Sequence, residues 1–203
     1  MSEWWSYRLS DFLMFSPRVY FRLIERYNQE FWPLHIAFLI AGLAAIAFAA
    51  RPGSRFRRGV LPILAIAWLF CGWQFLWLRY ATINWAASYA ALGFLLQAGL
   101  LLLSGLRKDE SAAAPTFRIV GAGIALFGLL AYPLLVLSFN RSLAAAEIFG
   151  MMPDPTAIAT LGTVLALKGA RSWLLMPIPI LWCTFSGLTL WTMWDEGASL
   201  PLL

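Results

Sequence analysis

Residues 119–139 read IVGAGIALFGLLAYPLLVLSF, an uninterrupted run with no charged side chain. At 1.5 Å per residue a helix of that length reaches about 31 Å, enough to cross a hydrocarbon core of roughly 30 Å. Four further runs have the same character: 33–50, 59–78, 86–106 and 172–194. Their strongly polar interruptions are few, with His35 in the first, Gln74 in the second and Gln97 in the third. A shorter run, 155–167, is bounded by Asp154 and Lys168 and would reach only about 20 Å as a helix.

Composition agrees with that reading. Hydrophobic residues make up 61% of the 203 and charged residues 12%, against about 45–50% and about 25% for a soluble domain. Mean hydropathy is +0.73. The fold class expected is all-α, an integral membrane helical bundle of five to six transmembrane helices plus an N-terminal interfacial amphipathic helix. The organisation expected is an amphipathic segment over 1–32, a transmembrane domain over 33–194 and a tail over 195–203.

The amphipathic segment follows from its period. Ser16-Pro17 supplies a cap and a first-turn proline. Tyr20, Leu23, Ile24, Tyr27 and Phe31 then share one face, while Arg18, Arg22, Glu25, Arg26 and Gln29 share the other. Such a helix is expected to lie in the headgroup plane. The opening MSEWWSYRLSDF lacks a basic start before an apolar stretch, so no cleaved signal is expected in it.

Orientation is read from the basic residues. The net charge of +5 would suggest nucleic acid in a soluble protein, but here Lys and Arg sit in short loops between apolar runs. With six crossings, Arg51, Arg55, Arg57, Arg58, Arg107, Lys108, Arg118, Lys168 and Arg171 all fall on one side. Nine of the fifteen basic residues make that side cytoplasmic by the positive-inside rule. Both termini are then extracytoplasmic, in a cell (inner) membrane. Trp4, Trp5, Trp32, Trp77, Trp85, Trp191 and Trp194 gather at the outer ends, as an interfacial belt requires. With the external carboxylates they could also form an aromatic vestibule for a cation.

No GxSxG, HExxH, P-loop or GxGxxG motif occurs, so no enzymatic chemistry, cofactor or metal is expected. Cys71 and Cys183 lie in separate apolar runs and read as buried small hydrophobes. The segment with most content is Gly150-Met-Met-Pro-Asp-Pro-Thr156, running into the short stretch. Short, proline-interrupted segments are where transporter binding sites lie. Asp154 and Thr156 are therefore the first candidate substrate-binding residues, as cap or as ligand. His35 and Glu30 join them at the outer mouth of the first run, and Gln74 inside the second. Pro177 and Pro179 are expected to kink the last run. Pro33 with Gly42 and Pro153 with Gly162 share one spacing, an internal similarity that composition alone accounts for. Gly121, Gly123 and Gly128 would suit close packing with a partner helix.

EWWSYRLSDFLMFSPRVYFRLIERYNQEFWP (3–33), PDPTAIATLG (153–162) and MPIPILWCTFSG (176–187) together resemble an uncharacterised family of small bacterial multi-pass membrane proteins, a domain of unknown function. The resemblance implies an inner-membrane location and carries no activity or site residue. It also implies Cys in many members where this chain has Asp154. Two functions are expected from these readings: binding or transport of a small solute or ion, or a non-transporting accessory or assembly subunit of a membrane complex. The partners expected are the lipid bilayer and a second copy or a membrane-complex subunit, with no nucleic acid.

Overall fold

The computed structural model describes residues 15–51, 54–106, 113–167 and 172–197. Glu3, Trp4, Trp5, Arg8 and Asp11, the basic residues 107, 108, 168 and 171, and the tail beyond 197 lie outside the described residues. Among the described residues seven α-helices follow in order: α1 Pro17–Glu30, α2 Leu34–Ala49, α3 Ser54–Phe70, α4 Ala86–Gly105, α5 Pro115–Leu126, α6 Pro153–Leu167 and α7 Pro177–Gly197. Among the described residues there is no strand. Four helical stretches are long and apolar enough to cross a membrane: 58–82, 86–105, 115–138 and 173–191. A fifth arises only if α1 and α2, bent by 91° at their junction, count as one. The all-α membrane bundle expected from the apolar runs is therefore what the chain forms.

Two of the spans change helical type along their length. After α3 the chain loosens into a π-helical stretch, Cys71–Trp77. After α5 it passes through a π-helical stretch, Phe127–Ala131, into a tight 3-10 stretch, Tyr132–Phe139. Pro133 lacks a donor and fits the first turn of that tighter segment. π-Helical turns inside α-helices occur most often at functional sites. Both departures here run toward the end of the bundle where α1 lies.

At the centre is α6, whose 15 residues are too short to span 30 Å. Eleven of them are buried, enclosed by α2, α3, α5 and α7. Its closest neighbour is α5. A Cβ built on Gly121 would lie 2.5 Å from the carbonyl oxygen of Gly162 and 2.6 Å from the amide nitrogen of Ala166, and one on Gly128 would lie 2.8 Å from that of Ala159. The helices meet backbone to backbone, as small residues allow. The partner that Gly121 and Gly128 suit is thus α6 of the same chain, while a Cβ on Gly123 would meet nothing within 4 Å. Trp68 of α3 donates its indole N–H to Thr160 Oγ1 at 2.8 Å, and Gln97 of α4 donates to the Leu175 carbonyl at 2.9 Å. That second bond holds the short 3-10 turn Ser172–Leu175 before α7. Pro177 and Pro179 occupy the first turn of α7, where a missing donor costs nothing. They start the helix, so the kink expected from them is replaced by a break at Met176.

The N-terminal helix forms where the sequence expects it. Ser16 Oγ accepts from the Val19 amide and Pro17 opens the helix, as the sequence pattern requires. Its apolar face, however, is covered by protein. Tyr20, Phe21, Ile24 and Tyr27 are buried, with Ile24 at 0% exposure, while Arg22 and Arg26 are exposed. The receiving surface is the stretch before α6: Asn28 donates both amide hydrogens, to the Ala144 and Ala146 carbonyls, at 2.8 Å each. The headgroup-plane placement assumed that no protein surface was there to receive the helix. The 144–152 segment supplies one, and Ala145, Ala146, Phe149, Met151 and Met152 are themselves buried beneath it.

Candidate functional site

The irregular backbone before α6 could be tolerated near hydrocarbon only if packed in protein or facing a cavity. It is packed in protein. Gly150 turns the chain with φ +79°, where a Cβ would strike the Phe38 ring. Its amide donates to Thr156 Oγ1 at 2.7 Å, and that hydroxyl donates on to the Met152 carbonyl at 2.6 Å. Thr156, 0% exposed, therefore ties the turn to the start of α6.

Asp154 lies inside the first turn of α6, where a carboxylate complements the positive end of the helix dipole. It is 5% exposed. Its oxygens are taken up by two other spans. Oδ1 accepts from Trp182 Nε1 at 2.7 Å, and Oδ2 accepts from Tyr132 Oη at 2.5 Å and Ser186 Oγ at 2.6 Å. Tyr132 stands where the π-helical stretch gives way to the 3-10 stretch, and Trp182 and Ser186 are one turn apart on α7. Three hydrogen bonds hold the carboxylate between the two spans.

A second buried carboxylate accompanies it. Glu147 is 8% exposed, and its Oε1 accepts from Tyr20 Oη at 3.2 Å. Its Oε2 is buried with no hydrogen-bond partner. Burial pushes this carboxyl well above the usual carboxylate range, the negative charge of Asp154 adds to that, and the Tyr20 hydroxyl opposes it. The described ion pair, Arg79 with Glu30 at 2.7 Å, involves neither carboxylate.

Beside the pair opens a cleft of about 10 Å³, room for a single water. Tyr20, Phe75, Tyr80, Pro153, Trp182 and Ser186 help to line it. Tyr20 and Tyr80 meet edge to face at 5.6 Å, and Phe75 stacks on Tyr80 at 5.7 Å. Tyr20, which holds Glu147, and Trp182 and Ser186, which hold Asp154, thus belong to the cleft wall. Among the described residues no three His, Cys, Asp or Glu side chains gather where a metal ion could be held.

None of the five candidate residues read from sequence lines this cleft; Asp154 stands behind its wall, bonded to Trp182 and Ser186. Thr156 is a neighbour with a structural bond. Glu30 and Gln74 meet at Arg79, which donates to the Gln74 carbonyl at 2.6 Å and its Oε1 at 3.1 Å and lies 4.9 Å from the centroids of Tyr27 and Phe31. His35 is buried against Asn28, with 3.2 Å between Nε2 and Oδ1. Because both Asn28 amide hydrogens are committed to carbonyls, Oδ1 is an acceptor and His35 Nε2 carries the proton. Trp32, Trp77, Trp85 and Trp191 are exposed, as a belt requires. The aromatic walls at the cleft come instead from Tyr20, Phe75, Tyr80 and Trp182. Glu147 was missed in sequence because AAEIFG reads as an ordinary loop.

The chain belongs to a family of unknown function (DUF6064), whose model matches residues 17–195. The match begins at the first residue of α1, so the helix that covers the 144–152 segment is part of the family unit. No curated protein and no solved structure matches the chain.

Proposed function

We propose that this member of a family of unknown function binds a small cation at Asp154 and carries it across the cell membrane. One observation carries the reading: a buried carboxylate, at the start of a central helix too short to span, is held by donors from two neighbouring spans beside an aromatic cleft. Ionisable residues at such depth mark ion and substrate pathways. Short helices with interrupted entries are where transporters place their sites. Aromatic faces in front of two carboxylates suit a cation, and a cleft this narrow suits a small one, such as a protonated amine. The accessory-subunit reading is weaker, because the Gly121 and Gly128 face it invoked packs within the chain. Radiolabelled methylammonium should enter liposomes containing the purified protein faster than empty liposomes, and Asp154→Asn should remove the difference. Liposomes equally permeable with and without the protein would contradict the reading.

Orientation belongs to the same proposal. Gly59 packs against Phe48, Gly105 against Leu61, and Gly121 against Ala166, so the described helix ends that adjoin the basic stretches of the sequence share one end. The cleft, α1 and Asp154 lie at the other end. The positive-inside rule makes the basic end cytoplasmic and the cleft extracytoplasmic. In a background lacking Cys71 and Cys183, a membrane-impermeant maleimide added to whole cells should label Ser142→Cys and spare Ser54→Cys. The reverse pattern would invert the topology.

A further inference from the structure

We propose that Glu147 is a proton-binding site, and that the Glu147–Asp154 pair exchanges one proton for one small monovalent cation. This deepens the reading above and rests on it for the identity of the cation, but the proton site itself is tested separately.

Among the described residues, groups from four elements face Glu147. From α1 comes Tyr20, from α3 and its continuation Cys71 and Tyr80, from the continuation of α5 Tyr132, and from α6 Asp154. Every one of these is neutral or acidic. Arg141, in the segment that also carries Glu147, lies 5.2 Å from the centroid of the Phe21 ring. Asp154 has three donors. Glu147 has one, at 3.2 Å, and a buried oxygen with none. Two buried carboxylates that face one another, with no counter-charge facing them among the described residues, do not both ionise. The pair therefore carries one negative charge, on Asp154, and one proton, on Glu147.

The balance of the exchange follows. When the Glu147 O–H bond breaks, its electron pair stays on the carboxylate, and the proton passes to water in the cleft whose wall includes Tyr20. The pair then carries two negative charges. A cation with a single positive charge entering beside Asp154 restores the net charge to minus one, so the exchange is one for one. A protonated amine meets this condition, and the aromatic walls favour it.

Infrared spectroscopy of the protein in lipid nanodiscs tests this without relying on transport. A carboxylic-acid carbonyl band should be present at neutral pH, absent in Glu147→Gln, and retained in Glu30→Gln, whose carboxylate lies in the exposed Arg79 pair. Glutamine matches the protonated side chain in shape, so the fold should survive. In the intact protein the band should disappear as pH rises, and Asp154→Asn should move that loss to higher proton concentration, because the neighbouring charge is gone. Methylammonium at fixed pH should diminish the band and release about one proton per protein into weakly buffered solution, and N-methylglucamine at equal ionic strength should not. A band unchanged in Glu147→Gln would overturn the proton site. A band that ignores methylammonium while the protein still transports it would overturn the exchange. A band that responds in a protein that moves no methylammonium would support the site and overturn the transport reading instead.

Discussion

Gly162→Val should prevent the bundle from assembling, and Gly162→Ala should destabilise it by about 1–3 kcal/mol or more. The cause is the seam between α5 and α6. A Cβ on Gly162 would lie 2.5 Å from the carbonyl oxygen of Gly121 and still nearer the amide of Ala125. Both obstacles are backbone, so no rotamer change can relieve them and the helices must separate. Separation loses the packing that drives helix association within a membrane. It also moves α6, with Asp154 at its start, away from Tyr132 on the continuation of α5. Gly123→Ala and Gly187→Ala are the controls, since a Cβ at either meets nothing within 4 Å. Thermal unfolding in detergent should show the two controls near the parent midpoint and Gly162→Ala well below it. Equal midpoints for all three would mean that the α5–α6 contact is looser than described.

Asp154→Ala should cost about 3–5 kcal/mol, the usual penalty for removing one partner of a buried charged network. It strands the Trp182 indole, the Tyr132 phenol and the Ser186 hydroxyl together. Glu147, protonated beside it, offers no charge repulsion for the substitution to relieve, so the three stranded donors, each costing about 1–3 kcal/mol, decide the sign. Asp154→Asn should be milder. It keeps one oxygen for Trp182 or for the Tyr132–Ser186 pair and removes the charge, which separates stability from function. Chemical unfolding monitored by circular dichroism checks the order: parent, then Asn, then Ala. An alanine variant as stable as the parent would mean that the three bonds do not persist in solution.

Much of the fold is written in local pattern. The uncharged run 119–139 and its companions are visible because a membrane span needs only length and apolarity. Ser16-Pro17 is visible because a capping hydroxyl before a first-turn proline is a local signature. Asp154 stands out for the same reason, as an acid between two prolines at the head of an apolar run too short to cross.

What was hidden depends on contacts between distant segments. Glu147 looks solvated until α1 is laid over it and Tyr20 reaches its carboxylate across 127 positions. The destination of the α1 apolar face depends on the buried 144–152 segment, whose own sequence carries no helical or strand period to announce it. Gly121 and Gly128 show a close-packing face, but periodicity cannot say whether the opposing helix belongs to this chain or another. Glu30 and Gln74 look like site residues in isolation, and only the fold brings Arg79 between them. The change of helical type at Tyr132 leaves no strong mark beyond Pro133, yet it is what carries the phenol to Asp154.

A small cation held by the buried Asp154 carboxylate is what binding and transport both require here. Calorimetric titration of methylammonium into the protein in lipid nanodiscs, with Asp154→Asn alongside, measures this directly. Saturable binding by the parent, weakened at least about tenfold in the folded Asn variant, a difference of about 1.4 kcal/mol, is the result predicted. Equal affinity in the two proteins, or no saturable heat in the parent, would contradict it.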